Sequence, residues 1–315
     1  MLLILTSSTD ATAAYLAERL SAAGMSFLRL DTDTCVPRLR VGYTQDAGPA
    51  LCLDGVVVRA SEITNLWLRR PREIAIAMDG DLAERAHVAN EWGEAIEGFL
   101  AHVPADRWMN HPTANVRASH KLEQLTRAQQ YGLRVPSTLV TQARDELDAF
   151  WRAHDGRVIA KPLASGYLER SDGSVASIYT SRVLARHLDE GPLAACPTLF
   201  QEEVAKAHDV RVTCVDGRFT AVALHRIVEG AQIVDIRRDN MEPVAYATCA
   251  IPAKVDAALR QLLASYDLRF AAVDFGVTDA GEWVFFEINP NGQWAWLDLA
   301  GATNLWQDFA HAFSS

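Results

Sequence analysis

The stretch WVFFEINPNGQWAW, residues 283–296, begins with hydrophobic residues typical of a strand and continues with an acid, two asparagines and a glutamine. Because successive side chains of a strand point to opposite faces, Glu287 and Asn289 are predicted to share one face. Phe286 and Ile288 are predicted to lie on the other face, against a core. The stretch therefore predicts a sheet strand with one apolar side and one side rich in oxygen atoms.

The preceding apolar stretch, FAAVDFGVT, brings a second acid to the same sheet, and DAGE joins the two strands as a short hairpin signal. If Ala280 and Gly281 form a two-residue turn, Asp274 lies directly opposite Glu287. A three-residue turn would instead place Asp274 opposite Phe286. Like charges opposed on a sheet are destabilising unless they share a proton or bind a cation. The two-residue turn therefore predicts a cation site.

Asp274, Glu287 and Asn289 offer only oxygen ligands, which is the donor set that Mg²⁺ prefers. Magnesium usually binds one or two protein carboxylates together with substrate phosphates and water. We therefore predict that these three residues bind Mg²⁺. The alternative is an ordinary polar strand end beside a turn, and the spacing alone does not separate the two interpretations.

The composition limits the class of protein. At 315 residues, the chain exceeds the ~250 residues at which single cores stop growing, so two or three subdomains are expected. A net charge of −10 argues against a nucleic-acid partner, since such binding depends on basic side chains. The five scattered cysteines form no CxxC pair, which favours a reduced protein without structural zinc. No run approaches the ~18 apolar residues of a membrane helix, so no membrane partner is expected.

The N-terminal segment reads as a βαβ unit. LLILTSS and MSFLRLDTD are apolar runs, and between them lies an amphipathic segment that Asp10 caps and Gly24 ends. Further strands are predicted at LCLDGVVVRA and NLWLRRP, followed by a helix over residues 79–102. We therefore assign residues 1–108 to a small α/β domain, which ends at the turn-forming stretch VPADRWMNHPT.

The remainder is predicted to be α+β. One helix is predicted over ANVRASHKLEQLTRAQQYGL and another over RVLARHLDE, with Ser181 as its N-cap. The Gly- and Ser-containing stretch 164–174 lies between strand candidates and is typical of a mobile cover loop. Mostly β-strands follow, with one clear helix over AKVDAALRQLLASYDL.

Basic residues accompany the acidic hairpin. Lys161 ends the strand RVIAK and Lys121 lies within a predicted helix, but either one alone is more typical of a solvated surface lysine. Three arginines lie on strand candidates: Arg211, Arg226 and Arg237. Several cations beside a metal site favour a polyphosphate, whose charge must be neutralised from several sides. The chain has no P-loop and no GxGxxG motif after a strand, so the nucleotide site is of another kind.

In this order the motifs resemble the ATP-grasp superfamily over residues 109–315, and more narrowly the ATP-grasp ligases that macrocyclise graspetides, the microviridin-type ribosomal peptides. The matching stretches include IAKPL, FQEEVAKAHDVRV, VDFGVT and, above all, EINPNGQWAW. The resemblance implies an α/β and α+β fold with three parts: a βαβ pre-ATP-grasp domain (1–108), an N-terminal ATP-grasp subdomain (109–200) and a C-terminal ATP-grasp subdomain (201–315). For Gln293, Trp294 and Trp296 the sequence offers this resemblance and no physical role.

The resemblance implies three sets of site residues, for ATP, for Mg²⁺ and for the reacting groups. The ATP contacts would be Lys121 and Lys161 (phosphates), Glu202, Glu203 and Val204 (adenine), Asp209 (ribose) and Asn291 (a phosphate or substrate neighbour). The Mg²⁺ ligands would be Asp274, Glu287 and Asn289. The residues facing the γ-phosphate or the activated carboxylate would be Arg211, Arg226 and Arg237.

The family resembled phosphorylates a carboxylate to an acyl phosphate, which a hydroxyl or amine then attacks. The chain is thus expected to join Asp or Glu side chains of a ribosomal precursor peptide, with its leader and core, to Ser, Thr or Lys side chains. Two alternatives stay open: a carboxylate-amine ligase that adds an amino acid to a small molecule or protein tail, and a nucleotide- and peptide-binding module without catalysis. The resemblance also implies a homodimer, and the cysteine usage a cytoplasmic location.

Overall fold

The computed structural model of the chain describes residues 1–164, 166–170, 172, 174–189, 193–226 and 244–314. Its strands, in chain order, are β1 (Leu2–Thr6), β2 (Phe27–Asp31), β3 (Leu39–Thr44), β4 (Gly48–Leu53), β5 (Val56–Arg59), β6 (Asn65–Leu68), β7 (Trp108–Met109), β8 (Thr138–Thr141), β9 (Val158–Lys161), β10 (Tyr167–Glu169), β11 (Val175–Ser177), β12 (Ser181–Arg182), β13 (Thr198–Glu202), β14 (His208–Val215), β15 (Arg218–Arg226), β16 (Val244–Thr248), β17 (Phe270–Val277) and β18 (Trp283–Asn289). Its α-helices are α1 (Ala11–Ala22), α2 (Leu82–Leu100), α3 (Pro112–Ala118), α4 (Lys121–Gln130), α5 (Arg144–Ala153), α6 (Ala185–Asp189), α7 (Ala253–Ala264), α8 (Ala295–Leu299) and α9 (Leu305–Ser314).

The N-terminal part is built on a parallel sheet with the strand order β2-β1-β6-β7. β1, α1 and β2 form the predicted βαβ unit, since β1 and β2 are parallel neighbours. Asp10 caps α1 as predicted, and its carboxylate accepts a hydrogen bond from the Ala13 amide at 2.7 Å. The residues that follow β6 lie beside the carboxyl end of β1, where the Arg69 amide donates to the Leu5 carbonyl. This edge of the sheet faces the C-terminal part of the chain.

A smaller antiparallel sheet, β3-β4-β5, extends the N-terminal part. The stretch LCLDGVVVRA contributes two of its strands, because Asp54 and Gly55 both adopt positive φ angles (51° and 85°) and turn the chain into a hairpin. β3 is a strand that the sequence pattern did not predict. The predicted helix over residues 79–102 is present as α2, which begins after an Asp81 cap that bonds the Glu84 amide.

The middle sheet has the order β12-β9-β13-β8, and its adjacent strands are antiparallel. Beside it, the stretch predicted as a cover loop contains β10, which pairs with β11 from Tyr167 to Ser177. The prediction that Ser181 caps a helix is wrong. Ser181 pairs with Ala160 in the sheet, and α6 begins only at Ala185.

The single helix predicted after residue 113 is also wrong, because the chain forms α3 and α4 with a break at Ser119 and His120. His120 has an extended conformation (φ −82°, ψ 101°), which begins the second helix. The side-chain amide of Gln124 turns back and donates to the Ala118 carbonyl at 2.5 Å, so an end-of-helix acceptor is satisfied. Local helical periodicity did not reveal this side-chain hydrogen bond.

The C-terminal sheet is antiparallel with the order β16-β15-β14-β17-β18. One face packs on α3, α4 and α7 in a core that includes Val212, Val273 and Ile288. The opposite face contacts the N-terminal part at one end, where Val222 and Ala272 join a second core with Leu16 and Trp67. The polar residues of the sheet lie on this second face, where it extends beyond the packed end.

Trp294 has a packing role that the sequence did not indicate. Its side chain is fully buried, stacks on Phe309 of α9 at a centroid distance of 4.6 Å and meets the edge of Tyr15 on α1. Trp296 packs against Tyr246. The two tryptophans therefore hold the chain after β18 against α1, α9 and β16, whereas Gln293 is exposed.

Replacing Gly292 with alanine is expected to lower the free energy of unfolding by about 1–3 kcal/mol, since a buried site is overpacked. A Cβ there would lie 2.3 Å from the Cβ of Ala272 and 3.2 Å from the Asn289 carbonyl oxygen. The control is Gly98→Ala on α2, where a Cβ would meet no atom within 4 Å. The control should gain roughly 0.5–1 kcal/mol. Urea unfolding checks both values, and equal effects of the two changes would contradict this account.

The predicted divisions after residues 108 and 200 fall within β7 and β13, so the three-part division of the chain stays a prediction. Within the described ranges, every helix is too short or too polar to cross a lipid bilayer.

Candidate functional site

The hairpin of β17 and β18 places Asp274 and Glu287 opposite each other through a loop and a bulge together. The loop has three residues, because the Thr278 amide donates to the Glu282 carbonyl at 3.0 Å, so the chain forms the three-residue alternative of the two turns considered. A bulge between the strands then takes up Phe286 as an extra residue. The bulge restores the predicted pairing of Asp274 with Glu287.

The bulge also changes the surroundings of Phe286, which was predicted to lie on the core side. Its ring is half-buried and packs over Gly276, where a Cβ would lie 2.6 Å from the ring. The ammonium groups of Lys161 and Lys206 lie 6.0 Å and 5.6 Å from the ring centroid. Phe286 therefore contributes an aromatic face to a basic part of the site, beside the proposed metal ligands.

The proposed metal ligands converge on the polar face of the sheet. The Asn289 amide nitrogen lies 3.2 Å from a Glu287 oxygen and 3.4 Å from an Asp274 oxygen. Arg211 Nε lies 3.0 Å from the Asp274 carboxylate, and Lys121 Nζ lies 3.8 Å from that of Glu287. These two cations flank the paired carboxylates and offset their repulsion.

This donor set fits a magnesium ion. Two carboxylates and the Asn289 side-chain amide lie within one small volume, and rotation of that amide by 180° would replace the nitrogen that faces the acids with a third hard oxygen ligand. No group of three or more His, Cys, Asp and Glu side chains in the described ranges is placed to hold a metal ion, and with two carboxylates this site would need oxygens from another source. That requirement matches the preference of Mg²⁺ for a few carboxylates completed by phosphate oxygens and water.

The strand that carries two of these ligands is held along its outer edge. The Gln124 side chain accepts from the Ile288 amide at 2.8 Å and donates to the Ile288 carbonyl at 2.9 Å. Further along, the Arg134 carbonyl accepts from the Phe285 amide at 2.8 Å. Gln124 is 2% exposed, and the residue that it bonds, Ile288, lies between the two proposed metal ligands Glu287 and Asn289. Sequence reasoning missed Gln124.

The predicted phosphate lysines approach the site from two elements. Lys121 is the first residue of α4, and its Nζ donates to the Pro162 carbonyl at 2.7 Å, which links α4 to the end of β9. Lys161 ends β9 and lies near Phe286. Lys206 is a third cation here and was missed, because no local pattern distinguishes it from a surface lysine. Its Nζ lies 2.5 Å from Asp209, the predicted ribose ligand.

Glu202 and Glu203 end β13 and follow it, but their carboxylates have other partners. The Glu203 carboxylate accepts three hydrogen bonds from Arg182, at 2.5 to 2.8 Å. The Glu202 carboxylate lies 3.8 Å from both Arg134 and His154. A contact of Glu202, Glu203 and Val204 with adenine would therefore involve backbone groups.

The three arginines that were predicted to face the reacting groups lie in different places. Arg211 lies at the acids, and its Nη1 is buried without a hydrogen-bond partner in the described part of the chain. Arg226 is the last residue of β15. Arg237 lies outside the described residues. Asn291 lies two positions beyond Asn289, in a loop that contacts the N-terminal part.

Known proteins share both the N-terminal domain and the whole fold. Residues 1–116 match the family model described as MvdD pre-ATP grasp domain. Macrocyclase MdnC from Microcystis aeruginosa MRC, solved with precursor peptide MdnA, has a TM-score of 0.82 at 24% identity and covers 100% of this chain and 99% of that chain. Macrocyclase MdnB from the same organism has a TM-score of 0.74 at 29% identity, covering 98% of this chain and 97% of its own.

A third structure extends the likeness to another organism. The Chryseobacterium gregarium RiPP-associated ATP-grasp ligase, solved with ADP and a leader and core peptide, has a TM-score of 0.80 at 23% identity, covering 99% of this chain and 94% of that chain. No protein with curated annotation matches the chain. Residues 1–116 are therefore an MvdD-type pre-ATP-grasp domain, and the chain as a whole has the fold of the ATP-grasp macrocyclases of ribosomal peptides.

Proposed function

We propose that the protein is an ATP-dependent ligase that forms ester or amide macrocycles in a ribosomal precursor peptide. In this reaction an Asp or Glu side chain of the peptide is phosphorylated by ATP to an acyl phosphate. A Ser or Thr hydroxyl or a Lys amine of the same peptide then attacks it and releases phosphate. The convergence of Asp274, Glu287 and Asn289 between two cations is the observation that carries this proposal.

The chemistry matches the residues that the site contains. A carboxylate is a poor electrophile because its leaving group would be an oxide, and phosphorylation supplies a better leaving group. Phosphoryl transfer needs positioning and charge neutralisation rather than a protein nucleophile. Mg²⁺, held by the three oxygen ligands, would neutralise phosphate charge when bound.

The basic side chains divide into two groups in this proposal. Lys161 and Lys206, whose ammonium groups lie 6.0 Å and 5.6 Å from the Phe286 ring centroid, would bind nucleotide phosphates. Lys121 would share that task from the start of α4. Arg211 would donate a hydrogen bond to the transferred phosphoryl group or to the peptide carboxylate from Nη1, which has no partner among the residues that the structure describes. Arg226 and Arg237 are proposed for the same reacting groups from the sequence resemblance alone.

The similar structures support the choice of cofactor and partner. PsnB, an ATP-grasp ligase at 20–21% identity, was solved with a minimal precursor, Mg and ADP, and with precursor peptide PsnA2 and AMPPNP. MdnC was solved with its precursor peptide MdnA. We propose ATP and Mg²⁺ as cofactors of this chain and a precursor peptide with leader and core as its partner. A homodimer and a cytoplasmic location complete the proposal and rest on the sequence expectations.

The test is incubation of the purified protein with ATP, Mg²⁺ and the precursor peptide encoded beside its gene. We expect the peptide to lose one water for each crosslink, as measured by mass spectrometry, with one ADP released per link. Omission of ATP or Mg²⁺ should abolish the mass change. A protein that consumes ATP only with a free amino acid and a small-molecule acid would support the carboxylate-amine ligase instead. Binding of nucleotide and peptide without turnover would support the non-catalytic module.

A further inference from the structure

The loop that follows the proposed metal ligands is held by side chains from outside the C-terminal sheet. The Arg69 Nη1 atom donates to the carbonyls of Asn291 and Gly292, at 2.6 Å and 2.9 Å. Arg70 Nε donates to the same Asn291 carbonyl at 3.1 Å. Asn110 donates to the Pro290 carbonyl at 3.1 Å. Three consecutive carbonyls are thus bound by what we term the loop clamp, Arg69, Arg70 and Asn110.

Arg69 is the buried member of the clamp. Its side chain is 1% exposed, and its Nε lies 3.3 Å from the Asp10 carboxylate at the start of α1. Burial lowers the pKa of the Arg69 guanidinium to about 10, against the opposing effect of Asp10, so the group stays charged at neutral pH. Burying a guanidinium is costly unless it is paired and hydrogen-bonded. An arginine that contacted the loop from the protein surface would stay hydrated and would not need a buried partner such as Asp10.

The clamp connects to the metal ligands through one backbone bond and one close contact. The Gly292 amide donates to the Asn289 carbonyl at 3.0 Å, so the loop turns back onto the residue that precedes it. Gly292 also packs closely on Ala272 and on the Asn289 Cβ. A displacement of the Gly292 carbonyl would therefore move the Asn289 side chain, which lies 3.2 Å from Glu287.

We infer that Arg69 is a positioning residue for the metal site, which holds Asn289 and its neighbours in register by fixing the loop at 290–292 to the N-terminal sheet. The inference rests on the proposed Mg²⁺ site and extends it by assigning the MvdD-type domain a part in metal binding. Arg69 does not touch the reacting groups and acts through the loop. Residues of this kind commonly change metal affinity although they are not ligands.

The test compares Arg69→Lys with Arg72→Lys. Lysine keeps the charge, but its single nitrogen cannot contact the Asp10 carboxylate, as Arg69 Nε does, and the two loop carbonyls, as Nη1 does, at the same time. Arg72 is an exposed arginine of the same segment whose backbone bonds Thr32. Calorimetry of ADP binding is measured at a series of Mg²⁺ concentrations. We expect Arg69→Lys to raise the Mg²⁺ concentration for half-maximal binding by about 10-fold, and the control to leave it unchanged.

A merely structural role would lower the melting temperature and the active fraction without shifting the Mg²⁺ dependence of the folded molecules. An unshifted Mg²⁺ dependence in folded Arg69→Lys would overturn the inference.

If Arg69→Lys does not fold, Asp10→Asn serves instead, because asparagine keeps a good helix cap while it removes the charge that pairs with Arg69. That variant should shift the Mg²⁺ dependence in the same direction, and no shift would reject the clamp. The calorimetry uses no peptide, so a wild type that leaves the precursor uncrosslinked would count against the proposed function and not against the clamp.

Discussion

Glu287→Gln is expected to lower the rate of peptide crosslinking by about 100-fold or more. Glutamine removes a charged ligand of the proposed Mg²⁺ ion, and a weakly held ion would neutralise less of the charge that develops on the phosphate. The change keeps the size of the side chain and removes one of two opposed carboxylates, Asp274 and Glu287. The free energy of unfolding should therefore change by less than about 1 kcal/mol. The measurement is the initial rate of water loss by mass spectrometry, with unfolding by urea in parallel.

The control for the metal site is Asp279→Asn. Asp279 is an exposed acid in the loop of the same hairpin and lies away from the paired carboxylates. Its substitution removes the same charge from the chain and should leave the crosslinking rate within about twofold, since exposed charges are largely screened. A Glu287→Gln protein as active as Asp279→Asn would remove Glu287 from the metal site.

Arg211→Lys is expected to lower kcat by about 100-fold, with a much smaller effect on nucleotide affinity. The Arg211 side chain bonds Asp274 through Nε, and its buried Nη1 is turned away from any partner in the described residues. A lysine can replace either the bond to Asp274 or the donor group at Nη1, but not both, because it lacks the rigid fork of the guanidinium. Steady-state kinetics with precursor peptide, together with ADP calorimetry, measures the two effects.

The matched control is Arg218→Lys at the start of the neighbouring strand β15. Its side chain is 53% exposed and lies 3.6 Å from Asp308, so its replacement should change kcat by less than about twofold. If Arg211→Lys raised the KM for ATP and left kcat intact, Arg211 would be a ground-state nucleotide contact. The assignment of Arg211 to the reacting groups would then be wrong.

The sequence was sufficient for those parts of the site that depend on local pattern. The periodicity of two along a strand put Glu287 and Asn289 on one face, and the hairpin signal assigned Asp274 to the neighbouring strand of the same sheet. The βαβ start followed from two apolar runs and an Asp cap, which the structure confirms. These features are set by neighbours within a few residues, and neighbours of that kind are visible in the sequence.

Other parts of the site depend on contacts between distant segments. The register of Asp274 and Glu287 came from a three-residue loop and a bulge at Phe286 whose effects on pairing cancel, and alternation alone placed Phe286 on the wrong face. The break between α3 and α4 is stabilised by Gln124, which bonds a strand 164 positions away. Arg69 reaches a loop 222 positions further along the chain.

The physical reason is the same in each of these cases. A buried polar side chain needs hydrogen-bond partners, and its partners are whichever backbone groups the folded chain leaves unsatisfied nearby. Arg69 and Gln124 look like ordinary surface residues in the sequence, yet both are buried and bind the backbone around the metal ligands. Strand alternation was enough to predict which residues form the metal site. The groups that hold these residues in place are determined by the packing of the N-terminal sheet and α4 against β18.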